Sequence, residues 1–410
     1  MTSVSGGALG IYVSVPFCRS KCTYCNFASG VYPAGDRARY VQRLVEEISV
    51  AERLAAKAGV ELPRRVDTIY LGGGTPSLLE PAPLARLFEA IHTEFDVDPD
   101  AEITVECAPG QLPDAVLESF ASAGVNRVSL GVQSFVDAEA HGSGRLHDRT
   151  TVQRDVCRIR AAGIANINVD LIAGLAGQTI ASWDESLDAL IACGVPHASV
   201  YMLEVDEESR LGRELLAGGI RYRARLVPAD DVIAEMYSRA IERLGAAGIR
   251  QYEISNFCRP GCESRHNLRY WLRRPYLGLG LDASSMLRAN CDAVASGGCY
   301  VLRSSSTADL KAYLEAAEPP ETSWLSLARQ HEEAWFLGLR LNAGVMIAEI
   351  EREFGRALIA PALETARRLA EDGLVVSDGA TVRLTPRGRL LSNEVFQEFL
   401  QTAEDPLMRA

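Results

Sequence analysis

The first half of the chain alternates between two hydrophobic periods. Short β-rich runs begin at Ile11, Val66, Glu102, Arg127, Asn166 and Ala198. Stretches with apolar residues at helical spacing separate these runs. Several of them end at a glycine, a residue preferred just after a helix: Gly59, Gly124, Gly163 and Gly194. This rhythm predicts right-handed βαβ units and a parallel sheet. Six such units suit an α/β fold with a partial (β/α)6 barrel, because a complete barrel has eight.

The pattern changes from about residue 206. A long polar helix is predicted from Asp230 to Gly245, and a loop-rich stretch follows. From about Leu325 the periodicity is helical again, interrupted by two short β runs around Asp378-Gly379, which is a strong hairpin signal. This order of helices, hairpin and helix predicts a winged-helix-like helical domain at the C-terminus. We predict three regions: a barrel domain at residues 1–235, a linking region at 236–320 and the C-terminal domain at 321–410.

The composition indicates a folded protein, since 47% of the residues are hydrophobic and 23% are charged. The formal net charge is −12, and an acidic surface repels phosphate backbones, so nucleic acid is not expected as a partner. No stretch reaches about 18 consecutive apolar residues, so no membrane span is predicted. The N-terminus lacks the basic region and cleavage site of a secretory signal, so we expect a cytoplasmic protein.

Cysteines are numerous in this chain, at ten. Without an export signal, most are expected to be reduced thiols. Seven are scattered: Cys107, Cys157, Cys193, Cys258, Cys262, Cys291 and Cys299. The other three, Cys18, Cys22 and Cys25, lie close enough together to bind a soft metal or an iron–sulfur cluster. A four-iron cluster held by three thiolates keeps one iron open for a further ligand. A zinc site with a distant fourth ligand is the alternative.

Candidate polar residues lie at or near the carboxyl ends of successive predicted strands. They are the three cysteines after the first strand, Gly73, Gly74 and Thr75 after the second, Glu106 at the end of the third, Gln133 at the end of the fourth and Asp170 within the fifth. Glycine lets backbone amides approach a ligand closely. In parallel βα barrels this end of the sheet is the active face, so we expect these residues to converge on one opening.

The cysteine triplet, followed one βα unit later by the motif GGGTP, resembles the radical S-adenosylmethionine (SAM) proteins. A narrower resemblance, to the HemW family, is carried by YVSVPFCRSKCTYCNF, LGGGTPSLL, EITVECAPG, GVNRVSLGVQSF, NVDLIAGLAGQT, QYEISNF and HNLRYW. It runs from about residue 11 to the C-terminus. It implies that Cys18, Cys22 and Cys25 hold a [4Fe-4S] cluster. It also implies a SAM site lined by Tyr12, Tyr24, Gly73, Gly74, Thr75, Glu106, Gln133, Arg145 and Asp170.

Two features favour HemW over its relative, the oxygen-independent coproporphyrinogen III oxidase HemN. The oxidase has a fourth cysteine two residues after the third, where this chain has Phe27. It also has an N-terminal extension, whereas the first cysteine here is at position 18. HemW is regarded as a haem chaperone, so the resemblance implies haem and haem-accepting proteins as partners, with membrane-associated respiratory enzymes among the candidate recipients. The alternative is an oxidase-type radical SAM enzyme, and whether the chain is an enzyme stays open.

The candidate haem segment is HNLRYW, from His266 to Trp271. An imidazole can bind haem iron, and tyrosine and tryptophan can pack on the macrocycle. Three nearby arginines, Arg269, Arg273 and Arg274, could pair with the haem propionates. His266 is therefore the candidate haem ligand, and the alternative is a hydrogen-bonded structural histidine.

Three further features of the sequence bear on haem and partner handling. Cys258 and Cys262 precede His266 at even spacing, but only three ligands are visible, so we interpret these cysteines as incidental. The family has a histidine where this chain has Ser284, which indicates a divergent branch. Because acidic residues surround the arginines of the C-terminal region, we expect it to be a packing or lid domain rather than a nucleic-acid reader.

Overall fold

The computed structural model describes residues 7–290, 301–316 and 319–400. Its strands are β1 (Leu9–Val15), β2 (Val60–Glu61), β3 (Arg65–Gly73), β4 (Asp96–Cys107), β5 (Arg127–Gln133), β6 (Asn166–Ala173), β7 (His197–Met202), β8 (Arg250–Gln251), β9 (Asn256–Cys258), β10 (Tyr276–Leu279), β11 (Ser284–Ala289), β12 (Val301–Ser305), β13 (Glu321–Leu325), β14 (Val345–Met346), β15 (Val375–Ser377) and β16 (Thr381–Leu384).

The helices are α1 (Gly35–Ala58), α2 (Pro81–Glu94), α3 (Asp114–Ser122), α4 (Asp137–Gly142), α5 (Arg149–Ala161), α6 (Ile180–Cys193), α7 (Arg210–Leu216), α8 (Asp230–Ala246), α9 (Arg265–Trp271), α10 (Leu310–Glu315), α11 (Leu327–Leu339), α12 (Ile347–Phe354), α13 (Arg356–Glu371), α14 (Pro386–Leu390) and α15 (Ser392–Gln397). Short 3₁₀ segments occupy Pro76–Leu78 and Arg221–Leu226.

Six parallel strands at the centre of one large sheet confirm the predicted partial barrel. They lie side by side in chain order as β1, β3, β4, β5, β6 and β7. The sheet extends further than predicted at both edges. Strand β10 pairs in parallel with β1 and is followed by the antiparallel strands β11 to β13, while β9 pairs antiparallel with β7.

Side chains alternate between the two faces of each central strand, as the pleat requires. In β5, Val128, Leu130 and Val132 belong to the main hydrophobic core, whereas Ser129 and Gly131 line a cavity inside the barrel. Burying one such aliphatic side chain stabilises the fold by about 1.5–3 kcal/mol. Because β4, β6 and β7 follow the same alternation, the sheet has an apolar outer face and a polar interior.

The helices pack on this outer face through the apolar residues that their periodicity predicts. In α1, Tyr40, Leu44 and Ile48 are buried, and the Tyr40 hydroxyl donates a 2.7 Å hydrogen bond to the carbonyl of Ser14 on β1. The helix ends at Gly59, whose φ of 74° is the left-handed conformation that glycine adopts without steric cost. The sequence therefore sets both the buried face and the end of this helix.

The C-terminal part has the predicted winged-helix-like form. Helices α11, α12 and α13 precede the hairpin of β15 and β16, and β14 adds a third strand that the sequence did not predict. A second hydrophobic core holds it together, with Trp335 stacked on Phe399 at 5.0 Å between ring centroids. Ile254 joins this core from the barrel side. The domain boundaries after residues 235 and 320 stay a prediction. Strands within residues 256–305, in the predicted linking region, belong to the same sheet as the barrel strands.

Two further findings concern the described residues alone. None of their helices combines the length and the apolar character needed to cross a bilayer. Their eight cysteines are all free, and Cys291 and Cys299 lie outside the described residues.

Candidate functional site

A cavity of about 1100 Å³ opens at the carboxyl ends of the parallel strands and reaches into the barrel. Residues from all five predicted strand ends meet there, and the loop that carries the cysteines is one of the five. The sequence-predicted residues that line it are Cys18, Cys22, Tyr24, Cys25, Gly73, Gly74, Thr75, Glu106, Gln133, Arg145 and Asp170. The structure therefore brings together every candidate except Tyr12 and His266.

The cysteine loop is closed by its own hydrogen bonds. The Cys18 amide donates to the carbonyl of Gly30, and the Gly30 amide donates to Pro16, each at 2.8 Å. Inside the loop, Lys21 Nζ donates to the carbonyl of Ser29 at 2.9 Å. These bonds hold the backbone around the first and last cysteine, and none of them involves a thiol.

A second set of bonds attaches the loop to the connection between α4 and α5. The Thr23 amide donates to the carbonyl of Ser143 at 3.0 Å, and Ser20 Oγ donates to the carbonyl of Gly144 at 2.7 Å. Gly144 has a φ of 93°, and a Cβ there would lie 3.3 Å from the Cα of Cys22. Only glycine therefore suits this close approach of the two loops.

The three thiols are free, and each has at least one polar neighbour. Thr75 Oγ1 lies 4.0 Å from Cys18 Sγ, Arg145 Nη1 lies 3.5 Å from Cys22 Sγ, and Ser29 Oγ lies 4.0 Å from Cys25 Sγ. This donor set fits an iron–sulfur cluster, because cysteine thiolates are the usual cluster ligands. Within the described ranges, no three histidine, cysteine or acidic side chains surround a point where a single metal ion would fit. A cubic cluster presents its irons at separate corners and needs no such convergence.

The glycine turn that follows β3 is bonded directly to the start of the cysteine loop. The Gly74 amide donates to the carbonyl of Val15 at 2.9 Å, and the Thr75 amide donates to Phe17 at 2.8 Å. A Cβ on Gly74 would lie 2.6 Å from that Val15 oxygen, closer than any real contact. The turn and the cysteine loop consequently form one continuous wall of the cavity.

Glu106 is a carboxyl group held in this wall. Its Oε1 accepts from the Tyr70 hydroxyl at 2.8 Å, and its Oε2 accepts from the Gly73 amide at 3.2 Å. Burial raises the pKa of Glu106 to about 7, and the nearby Asp170 acts in the same direction. A carboxyl group so placed can accept hydrogen bonds from the hydroxyl or ammonium groups of a ligand.

The Arg145 side chain links the cysteine loop to strand β5 in the cavity wall. Its Nη2 donates to the carbonyl of Gly131 on β5, while its Nη1 faces Cys22. A Cβ on Gly131 would lie 2.9 Å from Nη2, so the glycine makes room for the guanidinium. The strand has a register irregularity here, and Gln133 adopts a left-handed φ of 71°. Such strain in a non-glycine residue is typical of functional sites.

Asp170 is the centre of a polar network in the barrel interior. Its oxygens accept from Ser129 Oγ at 3.0 Å and from Asn168 Nδ2 at 2.7 Å. Asn168 Nδ2 also lies 3.0 Å from Ser199 Oγ. Burial raises the pKa of Asp170, and the hydrogen bonds oppose that shift. Ser129, Asn168 and Ser199 were not predicted as site residues, although the polar residue at every second position of their strands was the available signal.

Two of the sequence candidates lie outside the cavity lining. Tyr12 lies behind the glycine turn, with its ring centroid 6.1 Å from that of Tyr70. His266 is fully buried, with Nδ1 3.0 Å from Thr68 Oγ1 and Nε2 2.9 Å from the Tyr270 hydroxyl. Burial lowers the pKa of His266 to about 3, so the ring is neutral. Neither nitrogen is free in this conformation, and its role as haem ligand stays a prediction.

Two of the three arginines of the haem hypothesis pair with acidic residues of the chain. Arg269 pairs with Asp67, and Arg273 pairs with Glu353 at 2.6 Å. Ser284, which replaces the family histidine, is an exposed residue of β11 whose Oγ lies 2.9 Å from that of Ser305. Phe27, at the position of the oxidase's fourth cysteine, lines the cavity and is 64% exposed.

The C-terminal domain supplies part of the cavity wall, which sequence reasoning did not locate. Arg387 and residues 390–394 of α14 and α15 face the cavity, as do Asp230 and Asp231 at the start of α8. Because these residues lie far from the barrel strands in the chain, no local pattern could place them there. That this domain serves for packing or as a lid stays a prediction.

Comparison with known protein families gives two matches. The radical SAM superfamily matches residues 12–190, and the HemN C-terminal domain matches residues 325–391. These matches cover five of the six barrel strands with the cysteine loop, and most of the winged-helix-like part.

Known relatives match the chain over nearly its whole length. Heme chaperone HemW of Lactococcus lactis is 33% identical over 392 residues, which cover 95% of this chain and 96% of that protein. Heme chaperone HemW of Bacillus subtilis is also 33% identical and covers 95% and 98%. Among solved structures, the radical SAM enzyme coproporphyrinogen III oxidase (HemN) of Escherichia coli matches with a TM-score of 0.78 at 23% identity, covering 96% of this chain and 90% of that one. At this identity the likeness shows the fold.

Proposed function

The chain belongs to the HemW family of radical SAM proteins, and from this membership we propose that it is a haem chaperone. On this proposal it binds a [4Fe-4S] cluster, SAM and haem, and it delivers haem to recipient proteins in the cytoplasm. The observation that carries the proposal is 33% identity to two heme chaperones over 95% of the chain. The convergence of the cysteine loop, glycine turn and buried polar residues on one cavity supports it.

Cys18, Cys22 and Cys25 are the residues that would hold the cluster. Their loop is ordered by its own hydrogen bonds and by bonds to Ser143 and Gly144. A three-cysteine cluster supplies one-electron redox chemistry and an iron with a free coordination position. Arg145 places a positive charge beside Cys22, which balances the negative charge that thiolates bring.

The SAM site would lie against the glycine turn. Gly73, Gly74 and Thr75 line the cavity beside the cysteine loop, so a cofactor bound there would contact this turn. Glu106 and Asp170 offer carboxyl oxygens for its amino and hydroxyl groups. The remaining residues of the proposed site are Tyr12, Tyr24, Gln133 and Arg145, of which Arg145 can pair with the SAM carboxylate.

Haem would enter the same cavity, whose volume of about 1100 Å³ exceeds the roughly 300 Å³ at the lower end of small-molecule pockets. If His266 is the iron ligand, the hydrogen bond on the nitrogen that binds iron, to Thr68 or to Tyr270, must open first. The recipients we propose are haem-accepting proteins, including membrane-associated respiratory enzymes.

The proposal is tested by anaerobic reconstitution of the full chain with iron and sulfide. We expect the absorbance of a [4Fe-4S] cluster, saturable haem binding followed by the Soret band, and transfer of that haem to a haem-free acceptor protein. As a control, free haem is added to the acceptor alone. The rate at which free haem loads the acceptor shows how much loading is due to haem released into solution, and faster loading from the reconstituted protein indicates direct transfer. A reconstituted protein that neither binds haem nor accelerates loading of the acceptor contradicts the proposal.

An oxidase-type radical SAM enzyme is the second candidate, because the chain shares the fold of HemN at a TM-score of 0.78 and this fold does not distinguish the two functions. The exposed Phe27 in place of a fourth cysteine argues against it. Anaerobic incubation of the reconstituted protein with coproporphyrinogen III, SAM and a reductant separates the two. We expect no protoporphyrinogen to form. Formation of more than one protoporphyrinogen per protein chain would establish the oxidase instead.

A further inference from the structure

Arg127 is a buried cation at the inner end of the cavity. It is the first residue of β5 and only 2% exposed, yet it lines the same cavity as the glycine turn and Asp170. Ser129 and Gly131, on the same face of the strand, line the cavity above it. Four residues of strand at about 3.3 Å each place Arg127 roughly 13 Å below Gly131. The cavity therefore extends from the cysteine loop to a positively charged floor.

The partners of this guanidinium are neutral. Its Nη1 donates to Asn166 Oδ1 and to the carbonyl of Cys262, each at 3.0 Å. Among the residues that the structure describes, no carboxylate oxygen lies within 4.0 Å of it. The ionisable side chains that its charge influences include those of His197, Tyr252 and Cys258. Burial lowers the pKa of His197 and raises the pKa values of Tyr252 and Cys258, so none of the three supplies a negative charge near neutral pH.

Arg269, the other arginine that is buried among the described residues, is treated differently. It is 1% exposed and pairs with Asp67. The half-buried Arg340 also lies near a carboxylate, 3.8 Å from Glu253. A buried charge without a counter-charge costs free energy, and the usual solution in proteins is an ion pair. Arg127 is thus a charge whose natural partner, an anion, is not supplied by the described part of the chain.

We infer that Arg127 binds a carboxylate group of the ligand that enters the cavity. This inference rests on the proposed function, on which the ligand is haem and the carboxylate is one of its propionates. The planar guanidinium suits bidentate binding of a carboxylate. The floor around it also includes Ser264 and Asn267, which belong to the N-terminal turn of the HNLRYW helix α9. The site therefore joins the cavity to the segment that the sequence singled out for haem.

The experiment compares haem with haem dimethyl ester, in which both propionates are blocked, by titrating the reconstituted full chain. We expect wild-type protein to bind the ester at least tenfold more weakly than haem. Arg127→Gln should bind both ligands with the same weak affinity, and Arg127→Lys should keep part of the preference. Arg65→Gln is the matched control, since Arg65 begins β3 but is exposed and paired with Asp98 at 2.9 Å.

Each outcome bears on the inference. Equal affinity of wild-type protein for haem and its ester overturns the inference and leaves the proposed function intact. This comparison uses wild-type protein alone, so no variant that could misfold is needed. Failure of wild-type protein to bind haem overturns the proposed function and this inference with it. SAM affinity is measured alongside, because SAM also carries a carboxylate. A tenfold loss of SAM binding in Arg127→Gln, with haem binding unchanged, assigns Arg127 to SAM and overturns the haem assignment.

Discussion

Arg145 Nη1 lies 3.5 Å from Cys22 Sγ, although 123 residues separate the two in the chain. The contact exists because the loop before α5 is hydrogen-bonded to the cysteine loop, with the Thr23 amide 3.0 Å from the carbonyl of Ser143. Two loops that follow different strands thereby form one rim. The bonds that join the two loops involve none of the three thiols.

Cys22→Ser should abolish cluster assembly without unfolding the barrel. The substituted hydroxyl is a poor iron ligand, while the backbone bonds that order the loop remain in place. We expect the iron content and the brown absorbance band to fall to background after reconstitution, with the far-ultraviolet circular dichroism unchanged. Cys157→Ser, at an exposed free cysteine on α5, is the control and should reconstitute normally. Full iron loading of the Cys22 variant would contradict the assignment.

Gly74→Ala should damage the wall that joins the glycine turn to β1. The added Cβ would lie 2.6 Å from the Val15 carbonyl oxygen and 2.8 Å from that of Phe17, so backbone must move. We expect the free energy of unfolding to fall by about 1–3 kcal/mol and SAM affinity to fall more than tenfold, measured by urea unfolding and calorimetric titration.

A matched control for that variant is Gly245→Ala in helix α8, where nothing lies within 4 Å of the added Cβ. Since alanine is the better helix former, its free energy of unfolding should rise by about 0.5–1 kcal/mol. Loss of SAM binding in both variants would show that the effect does not come from the turn.

Glu106 should make the stability of the cofactor-free protein depend on pH. Its pKa is raised from 4.5 to about 7 in the folded state, mainly by burial. The folded protein therefore holds a proton that the unfolded chain releases at lower pH. The resulting stabilisation is complete below about pH 4.5 and is lost as the pH rises through about 7.

Glu106→Gln removes this titration. Between pH 5 and 8, the free energy of unfolding of wild-type protein should fall by on the order of 2 kcal/mol relative to the variant, measured by urea unfolding. Glu118→Gln, at an exposed position of α3, is the control and should follow the wild type. Parallel pH profiles for wild type and Glu106→Gln would show that the carboxyl group titrates normally.

Tyr270→Phe should strengthen haem binding if His266 is the iron ligand. Nε2 of His266 is engaged by the Tyr270 hydroxyl at 2.9 Å, and removing that hydroxyl leaves the nitrogen free. One neutral hydrogen bond corresponds to about 1 kcal/mol, so affinity should rise roughly fivefold. His266→Ala should lower it, and Tyr276→Phe, whose hydroxyl contacts Arg303, should leave it unchanged. Identical haem titrations for all three would remove His266 as a ligand.

Much of the fold follows from local pattern. The alternation of short β runs with helical stretches predicts the six parallel strands, and Asp378-Gly379 predicts the hairpin of β15 and β16. The edge strands β10 to β13 were not predicted as part of the sheet. They join it through β10, whose pairing with β1 links segments more than 260 residues apart. Strand pairing at such separation depends on packing that no short window contains.

The candidate site likewise has features that were predicted from the sequence and features that only the folded structure shows. By itself the sequence determined the cysteine spacing, the glycine turn and the polar residues at the strand ends, because these are set by neighbours along the chain. Only the tertiary structure decided which residues share the cavity. It buried both ring nitrogens of His266, turned Arg127 and Asn168 into the barrel interior and brought residues 390–394 to the cavity wall. The reason is physical: strand register and domain packing select the face that each side chain presents, and both are long-range properties of the folded chain.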